Sequence, residues 1–595
     1  MKILIFAPHS AIWIHAFPEA LVADALRQHG HEIVYASCGE LFQQYCVAMS
    51  AAGVLPGQSS ELRQTVCDGC TRNEHLLREG FGLRGPTLRG LLAPEDFQTT
   101  EAIISTVTAD SIHAFERDGV PLGRIALYQF VIRKKRINLD LASSDWAEYL
   151  IELRNTIYAW LAARKLLELH KPDRVIVYNG LYSVNRAACL LAEARGIPAL
   201  FLHAGANLAD RLQTLLLGRG DTFSYYPRLV AQWPQFADVP CTPDLLSKVT
   251  DHYLQLIEGR SVFVYSKAKS DRAFDLRGHF GILPTQKIMV ATLGSYDEEV
   301  AAEMVGARIY RKVPLFKTQV EWIAALVEFL KVHPDIFLIV RVHPREFPNR
   351  RDGKKSEHAQ LLEEVLLDLP ANAAVNWPSD QISIYDLVEE TDVFLNSWSS
   401  TGKDMALLGI PTVIYSDEIP LYPTELNYFG DTIDSYFAAI ELALREGWSA
   451  EKVRQSYRWA AYEFVRSTID IGDSFDELEA RKRSLFLKVT DRLRRFLNED
   501  FRKHRDLKRR RSPPLAAGQI ADIVETAAPT VVDRLRYSDL KRGSVEDEAR
   551  ALRIELRRLA EALYPSVQER TTSRLFFRLT SARFADAFGS DPIRS

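Results

Sequence analysis

Residues 337–346 read FLIVRVHPRE, and residues 379–416 read SDQISIYDLVEETDVFLNSWSSTGKDMALLGIPTVIYS. In each, a short β-rich apolar run, Ile336 to Val342 and Asp392 to Asn396, ends in a polar, turn-prone segment. Such runs read as buried strands of a parallel sheet, and open α/β sheets bind ligands at the carboxyl ends of their strands. The first run delivers Arg341, His343 and Arg345. The second delivers Ser397, Ser399, Ser400 and Thr401 into a helical pattern through Leu408, which Gly409 can stop and Pro411 cannot continue. A hydroxyl-rich loop at a helix N-terminus offers free backbone N–H groups and the positive end of a dipole, and the neighbouring Arg and His add charge-assisted donors. The stretch reads as a phosphate site.

The rest of the chain repeats this grammar. Lys2 to Ala7 reads as a buried strand, a helix follows from about Pro18 to Gln28, and Glu32 to Ser37 is a second strand, leaving Pro8 to Phe17 as a loop at the ligand end. A long helix is predicted from Asp145 to His170, then a strand Arg174 to Tyr178, a helix Ser183 to Arg195 and a strand Ala199 to His203. Residues 40–144 give amphipathic helices, Thr99 to Asp118 among them, without a topology. Further on, Ser261 to Ser266 and Lys287 to Leu293 read as strands, and Thr318 to His333, Phe437 to Gly447 and Ala450 to Thr468 as helices. The last two are expected to pack back across a cleft.

At 595 residues the chain exceeds a single core, and 47% hydrophobic with 26% charged residues describes an ordinary globular protein. A net charge of -4 gives no case for nucleic acid. MKILIFAPHS is a short strand rather than a signal peptide, and no run of 18 apolar residues exists to span a bilayer. Six cysteines are too few for a disulfide-built fold, so a cytoplasmic location is expected, with any membrane contact peripheral. The run FRKHRDLKRRR, Phe501 to Arg511, carries seven Lys/Arg against one Asp, and suits anionic lipid head groups at the inner face of a membrane or an acidic partner on one reading and a solvated linker equally on the other. Amphipathic segments Gln519 to Leu540 and Val545 to Tyr564 follow it, open to self-association or an assembly partner.

RVHPRE after a strand, then a Ser-Ser loop, a helix with an acidic residue and a G-I-P-T-V strand, resembles the nucleotide-binding half of bacterial GT-B glycosyltransferases of the capsule polysaccharide biosynthesis type. That grouping includes Kdo and sialic acid transferases, which use CMP-sugars, and CDP-glycerol polymerases are similar. The likeness covers residues 260 to 470 well and the N-terminal half in general architecture. It implies an α/β protein of two doubly wound, Rossmann-like domains facing across a cleft: an acceptor domain at 1–255, a donor domain with crossover helices at 256–474, and a helical, basic extension at 475–595.

The resemblance also implies that His343 and Arg341 face the donor phosphates, held with Ser399, Ser400 and Thr401. Asp404 falls where relatives carry Glu; Thr401-Gly-Lys-Asp404 fits a T-x-x-D capping box, and the capping role is preferred to ribose contact. Arg345 shares the phosphate or pairs with Glu346 or Glu389. In inverting relatives a His or carboxylate after the first strand deprotonates the acceptor, and His15, His9 and Glu19 are the candidates here. Ser295, Asp297 and Glu298 border the donor site as sugar ligands or catalyst, or serve as an acidic first helical turn. Asn179 and His203, ending two strands, are candidate acceptor contacts. Cys67-Asp-Gly-Cys70 is a single CxxC, so no metal is assigned, and metal-independent transfer with no cofactor beyond the nucleotide-sugar substrate is expected. The rival readings are a nucleotide-sugar 2-epimerase and a catalytically silent glycan-binding or assembly subunit.

Overall fold

The computed structural model describes residues 1–475 apart from 142, 262, 264, 266, 271, 272 and 350–352, then residues 502–535, 540 and 542–582. Two six-stranded sheets organise it. The first has strands β1 (Lys2–Ala7), β2 (Glu32–Ser37), β3 (Arg174–Tyr178), β4 (Ala199–Ala204) and β5 (Thr214–Arg219). The second has β6 (Lys287–Thr292), β7 (Ile336–Arg341), β8 (Ala373–Asn376), β9 (Val393–Asn396), β10 (Thr412–Ile414) and β11 (Tyr428–Phe429). A last strand, β12 (Ile469–Asp470), returns to the first sheet and pairs antiparallel with β5. The strand orders are β12-β5-β4-β3-β1-β2 and β11-β10-β9-β6-β7-β8, the second parallel throughout. Both are doubly wound, so the fold is the two-domain GT-B build.

The apolar runs become strands because parallel strands are covered on both faces. Leu4, Phe6, Val175 and Val177 turn toward helices Leu122–Lys134, Ser143–His170 and Ser183–Ala194, while Ile3, Ile5 and Ile176 turn toward helix Trp13–Gln28. Two expected elements differ. The segment Ser261 to Ser266 is not a strand at its described residues, because Phe263 lies beneath the Arg211 guanidinium and the Tyr265 hydroxyl receives Arg345, so these side chains serve the cleft instead of a sheet. The helix expected over Thr99 to Asp118 is Pro94–Thr106, closed where the Ser105 and Thr106 hydroxyls donate back to Ala102 and Ile103 carbonyls.

The C-terminal extension is not an appendage. Helix Ala517–Thr526 buries Ile520, Ile523 and Val524 against helix Trp13–Gln28 and β5. The following turn crosses β5 so closely that a Cβ on Gly218 would stand 2.2 Å from the Pro529 carbonyl oxygen. Helix Val545–Leu563 packs on Pro243–Ile257, the helix that precedes the second domain. The basic run is likewise docked: residues 502–509 are helical, Asp506 accepts the Trp13 indole N–H at 2.9 Å, and Arg510 lies over the Phe81 ring. Arg502, Lys508 and Arg509 face outward. Residues 476–501, the start of the expected helical, basic extension, lie outside the described residues. Among the described residues no helix is long and apolar enough to cross a membrane.

Candidate functional site

The carboxyl ends of both sheets face one another, and three cavities run end to end along the second domain's side, the third of them reaching the first domain. The first, about 500 Å³, is bounded by Tyr265, Lys267, Arg341, Val342, Trp377 and Ile382. It shares Tyr265, Arg341, Val342 and Pro344 with a narrow central cavity of about 200 Å³ that reaches His343, Ser399, Ser400, Thr401 and Asp404. That one shares Ser399, Ser400 and Asp404 with a third, about 450 Å³, whose far wall is the first domain: His203, Arg211, Tyr226 and His252.

In the central cavity His343 accepts the Arg345 backbone N–H on Nδ1 at 3.2 Å, and burial lowers its pKa. It is therefore neutral at pH 7 with the proton on Nε2, a hydrogen-bond donor. Arg341 is buried, and burial draws it down to about 10. Its guanidinium is braced by the Asn376 side chain and the Ile382 carbonyl at 3.1 Å. The Ser399 and Thr401 hydroxyls meet at 2.9 Å, and Asn396 fixes the loop by donating to the Ser399 carbonyl at 2.8 Å. Trp398 follows the strand into a slot that only Gly294 permits, since a Cβ there would lie 2.0 Å from its ring.

Asp404 is not a capping residue. Helix Thr401–Leu407 has Ser400 at its N-cap, with no side-chain cap bond. Asp404 instead accepts the Ser400 hydroxyl at 3.2 Å on one oxygen, while the other is buried without a partner where the central and third cavities meet. Burial raises its pKa to about 6. Its partner is thus the hydroxyl of the N-cap residue rather than a backbone N–H, and the carboxylate opens onto both cavities.

Five other residues expected at the donor site, Arg345, Asp297, Ser295, Glu298 and Ser397, lie outside these cavities. Arg345 forms a buried two-point pair with Asp297, at 3.2 and 2.7 Å, and donates to Tyr265 at 3.1 Å. Its expected carboxylate partners, Glu346 and Glu389, are taken up elsewhere: Glu346 by Ser356, Glu389 by Tyr564 and Ser573. Ser295 donates to Glu298, and Ser397 pairs with the Tyr415 hydroxyl at 2.8 Å.

On the first domain, helix Trp13–Gln28 begins five residues before the expected Pro18, so His15 lies on its first turn rather than in a loop. The His15 ring stacks on Tyr178 at 4.2 Å, and His203 flanks the same tyrosine at 5.9 Å. His9 stands edge-on to Tyr182 at 5.6 Å. Burial lowers His9 and His15 to about 3 and His203 to about 4, so all three are neutral. His15 Nδ1 and His9 Nε2 are buried without a hydrogen-bond partner. Glu19 is buried, accepts the Tyr178 N–H at 3.0 Å, and is raised to about 8 by burial. Of this group only His203 borders the third cavity, with Nδ1 held at 2.9 Å from the Ala204 carbonyl. Asn179 takes φ +61° and accepts the Leu181 N–H at 3.0 Å, a turn-forming role.

Sequence reading missed the residues that close the third cavity. Lys403 donates to both Glu463 oxygens at 2.5 and 2.7 Å, tying the Ser-Ser loop helix to a π-helical turn, Tyr462–Arg466. His252 accepts the Leu208 N–H at 3.0 Å and stacks on Phe464 at 4.3 Å. A π-helical turn inside an α-helical sequence is frequent at functional sites, but no spacing rule reveals it. All six cysteines are free, and among the described residues no group of three or more His, Cys, Asp or Glu is placed to hold a metal ion.

No family model matches the chain, and no curated protein does. Several solved structures are similar. Thermosulfurimonas dismutans KpsC, a beta Kdo 2,4 transferase, aligns at 16% identity over 48% of this chain and 78% of that one, with a TM-score of 0.30. UDP-GlcNAc 2-epimerase from Neisseria meningitidis, bound to UDP-GlcNAc, aligns at 12% over 78% and 96%, TM-score 0.23. The Streptomyces sp. SF2575 glycosyltransferase SsfS6, complexed with thymidine diphosphate, aligns at 13% over 78% and 95%, TM-score 0.21. At these values the likenesses neither choose between transfer and epimerisation nor add to the strand order, which by itself makes this chain a two-domain GT-B protein.

Proposed function

We propose that the protein is a glycosyltransferase that moves a sugar from a nucleotide donor, a CMP-sugar foremost, to a surface polysaccharide or lipid-linked glycan. The observation that carries this reading is the central cavity of about 200 Å³, where the His-Pro and Ser-Ser loops of β7 and β9 converge between two larger cavities. A base would lie against Trp377 and Ile382, and the phosphate between His343 and the Ser399, Ser400 and Thr401 hydroxyls. The sugar would project past Asp404 into the third cavity.

Each residue then has a chemical task. His343 Nε2–H and the loop hydroxyls stabilise charge growing on the departing phosphate, and they do so with neutral donors already fixed in place. The unpaired Asp404 oxygen accepts a ribose or sugar hydroxyl. Because His203 Nδ1 is directed at a carbonyl, its Nε2 is the bare nitrogen, and it is the acceptor-side base that borders the cavity. His15 acts behind it as a positioning residue through the Tyr178 stack. The adjoining walls exclude water, which limits donor hydrolysis.

The test is thermal stabilisation by CMP, CDP, UDP, GDP and ADP, with His343→Ala alongside, because a ligand selective for the folded state raises the midpoint by mass action. A CMP-selective rise that the variant loses is expected. A rise with UDP or GDP instead would keep a transferase and change the sugar class, and no rise with any nucleotide would sink the donor site.

A further inference from the structure

A fourth cavity, about 340 Å³, lies on the donor domain at the end of the sheet opposite the cleft. Lys287 begins β6, Asp392 precedes β9 and Pro411 precedes β10, so its floor is the amino ends of three parallel strands. Its rim is supplied by two separate parts of the chain. Arg445 and Trp448 come from the end of helix Ile433–Glu446, and Arg574 and Arg578 from helix Arg574–Ser581 of the C-terminal extension.

The charges are unevenly satisfied. Each carboxylate at the rim is engaged: Glu389 accepts from the Tyr564 hydroxyl, the Ser573 hydroxyl and the Arg574 backbone N–H at 2.6, 2.6 and 2.7 Å. Asp392 meets Lys287 at 3.2 Å and the Ile288 N–H at 2.9 Å, and Glu446 accepts the Tyr428 hydroxyl at 2.7 Å. The guanidiniums of Arg445, Arg574 and Arg578 have no carboxylate partner among the described residues. Trp448 is half-buried, and its indole N–H donates to the Leu408 carbonyl at 2.8 Å, which fixes the ring as one wall.

We propose that this cavity binds an acidic oligosaccharide carrying carboxylate groups. A fixed indole offers a flat apolar surface to the C–H face of a sugar ring. Three guanidiniums offer planar forks for carboxylates. The rim carboxylates retain lone pairs for sugar hydroxyls, donors that a bare phosphate lacks. The site stands independently of the transferase reading. Its consequence rests on that reading: a transferase that grips its product behind the donor domain would retain a growing acidic chain between additions. It also gives the extension a task, since two of the three arginines are its own.

The experiment is calorimetric titration of the full-length protein with a tetramer of α2,8-linked sialic acid, against chitotetraose and inorganic pyrophosphate. The sialic acid tetramer is expected to bind, and Arg574→Ser/Arg578→Ser to weaken it about tenfold, since exposed charge-assisted contacts contribute modestly each. The nucleotide response of the cleft should stay unchanged in that variant, so loss of one site is distinguishable from loss of the other. Arg445→Ser, on a different element, gives the same reading if the double variant fails to fold. Absence of tetramer binding, binding indifferent to the arginines, or pyrophosphate or chitotetraose binding as tightly as the tetramer would each overturn the assignment.

Discussion

His15 is the residue on which folded-state chemistry departs most from side-chain identity. In water its imidazole titrates near neutrality; stacked on Tyr178 and buried, it holds no proton until about pH 3. The sign follows from linkage: below its ordinary value of 6.5 the unfolded chain binds a proton that the folded chain refuses, so stability falls as pH falls. His15→Gln removes that proton uptake. Relative to wild type, the variant should lose about 1 kcal/mol less stability between pH 7 and pH 5.5, read by urea denaturation at both values. An identical pH response would mean the folded imidazole takes up its proton over the same pH range as in the unfolded chain. Burial keeps His15 and His203 alike neutral, and what separates them is position: His203 borders the third cavity and so takes the base role in the proposed transfer. Arg345 and Asp297 carry a parallel lesson. Both are of catalytic type in the sequence, yet they satisfy one another inside the domain interface.

At the scale of elements, a buried ion pair adds to the apolar packing that holds the C-terminal extension. Arg458, on helix Ala450–Ala461, meets the fully buried Glu548 of helix Val545–Leu563 at 2.6 and 2.9 Å, and Glu548 also accepts the Cys241 N–H at 2.7 Å. Glu548→Ala strands a guanidinium in the interior and should cost about 3–5 kcal/mol, whereas Arg458→Met with Glu548→Ala should restore most of the loss, because an apolar pair carries no uncompensated charge. Equal losses in the single and double variants would show that the helix contact, and not the charge, holds the extension. Amphipathic patterns revealed this helix within a residue of its observed ends, Val545 and Leu563, but not what it packs on. Periodicity reports that one face of a helix is apolar and is silent about which of several apolar surfaces will cover it.

For the whole molecule, the domains meet along more than the cleft. Lys135 is fully buried and donates to the Arg345 and Lys354 carbonyls at 2.6 and 2.8 Å, and Glu357 accepts the backbone N–H groups of Ile137 and Asn138 at 2.8 and 2.7 Å. Phe223 of the first domain stacks on Trp398 of the second at 6.0 Å. Glu357→Ala should free the amides of residues 137 and 138 and speed their hydrogen exchange about tenfold, at roughly 1–3 kcal/mol of local stability. Unchanged protection would assign the closed arrangement to the Lys135 and aromatic contacts. The sequence by itself determined β1, β2, β3, β4, β6, β7, β9 and β10, because an apolar run bounded by turn residues is specified within about ten positions. It determined too that the His-Pro and Ser-Ser loops leave strand ends, since turn chemistry is equally local. Only the tertiary structure decided that β12 returns to the first sheet, that the Asp404 carboxylate opens onto two cavities, and that Lys403 meets Glu463. Those outcomes depend on burial and pairing between residues dozens to hundreds of positions apart, and no local pattern encodes which distant surface arrives.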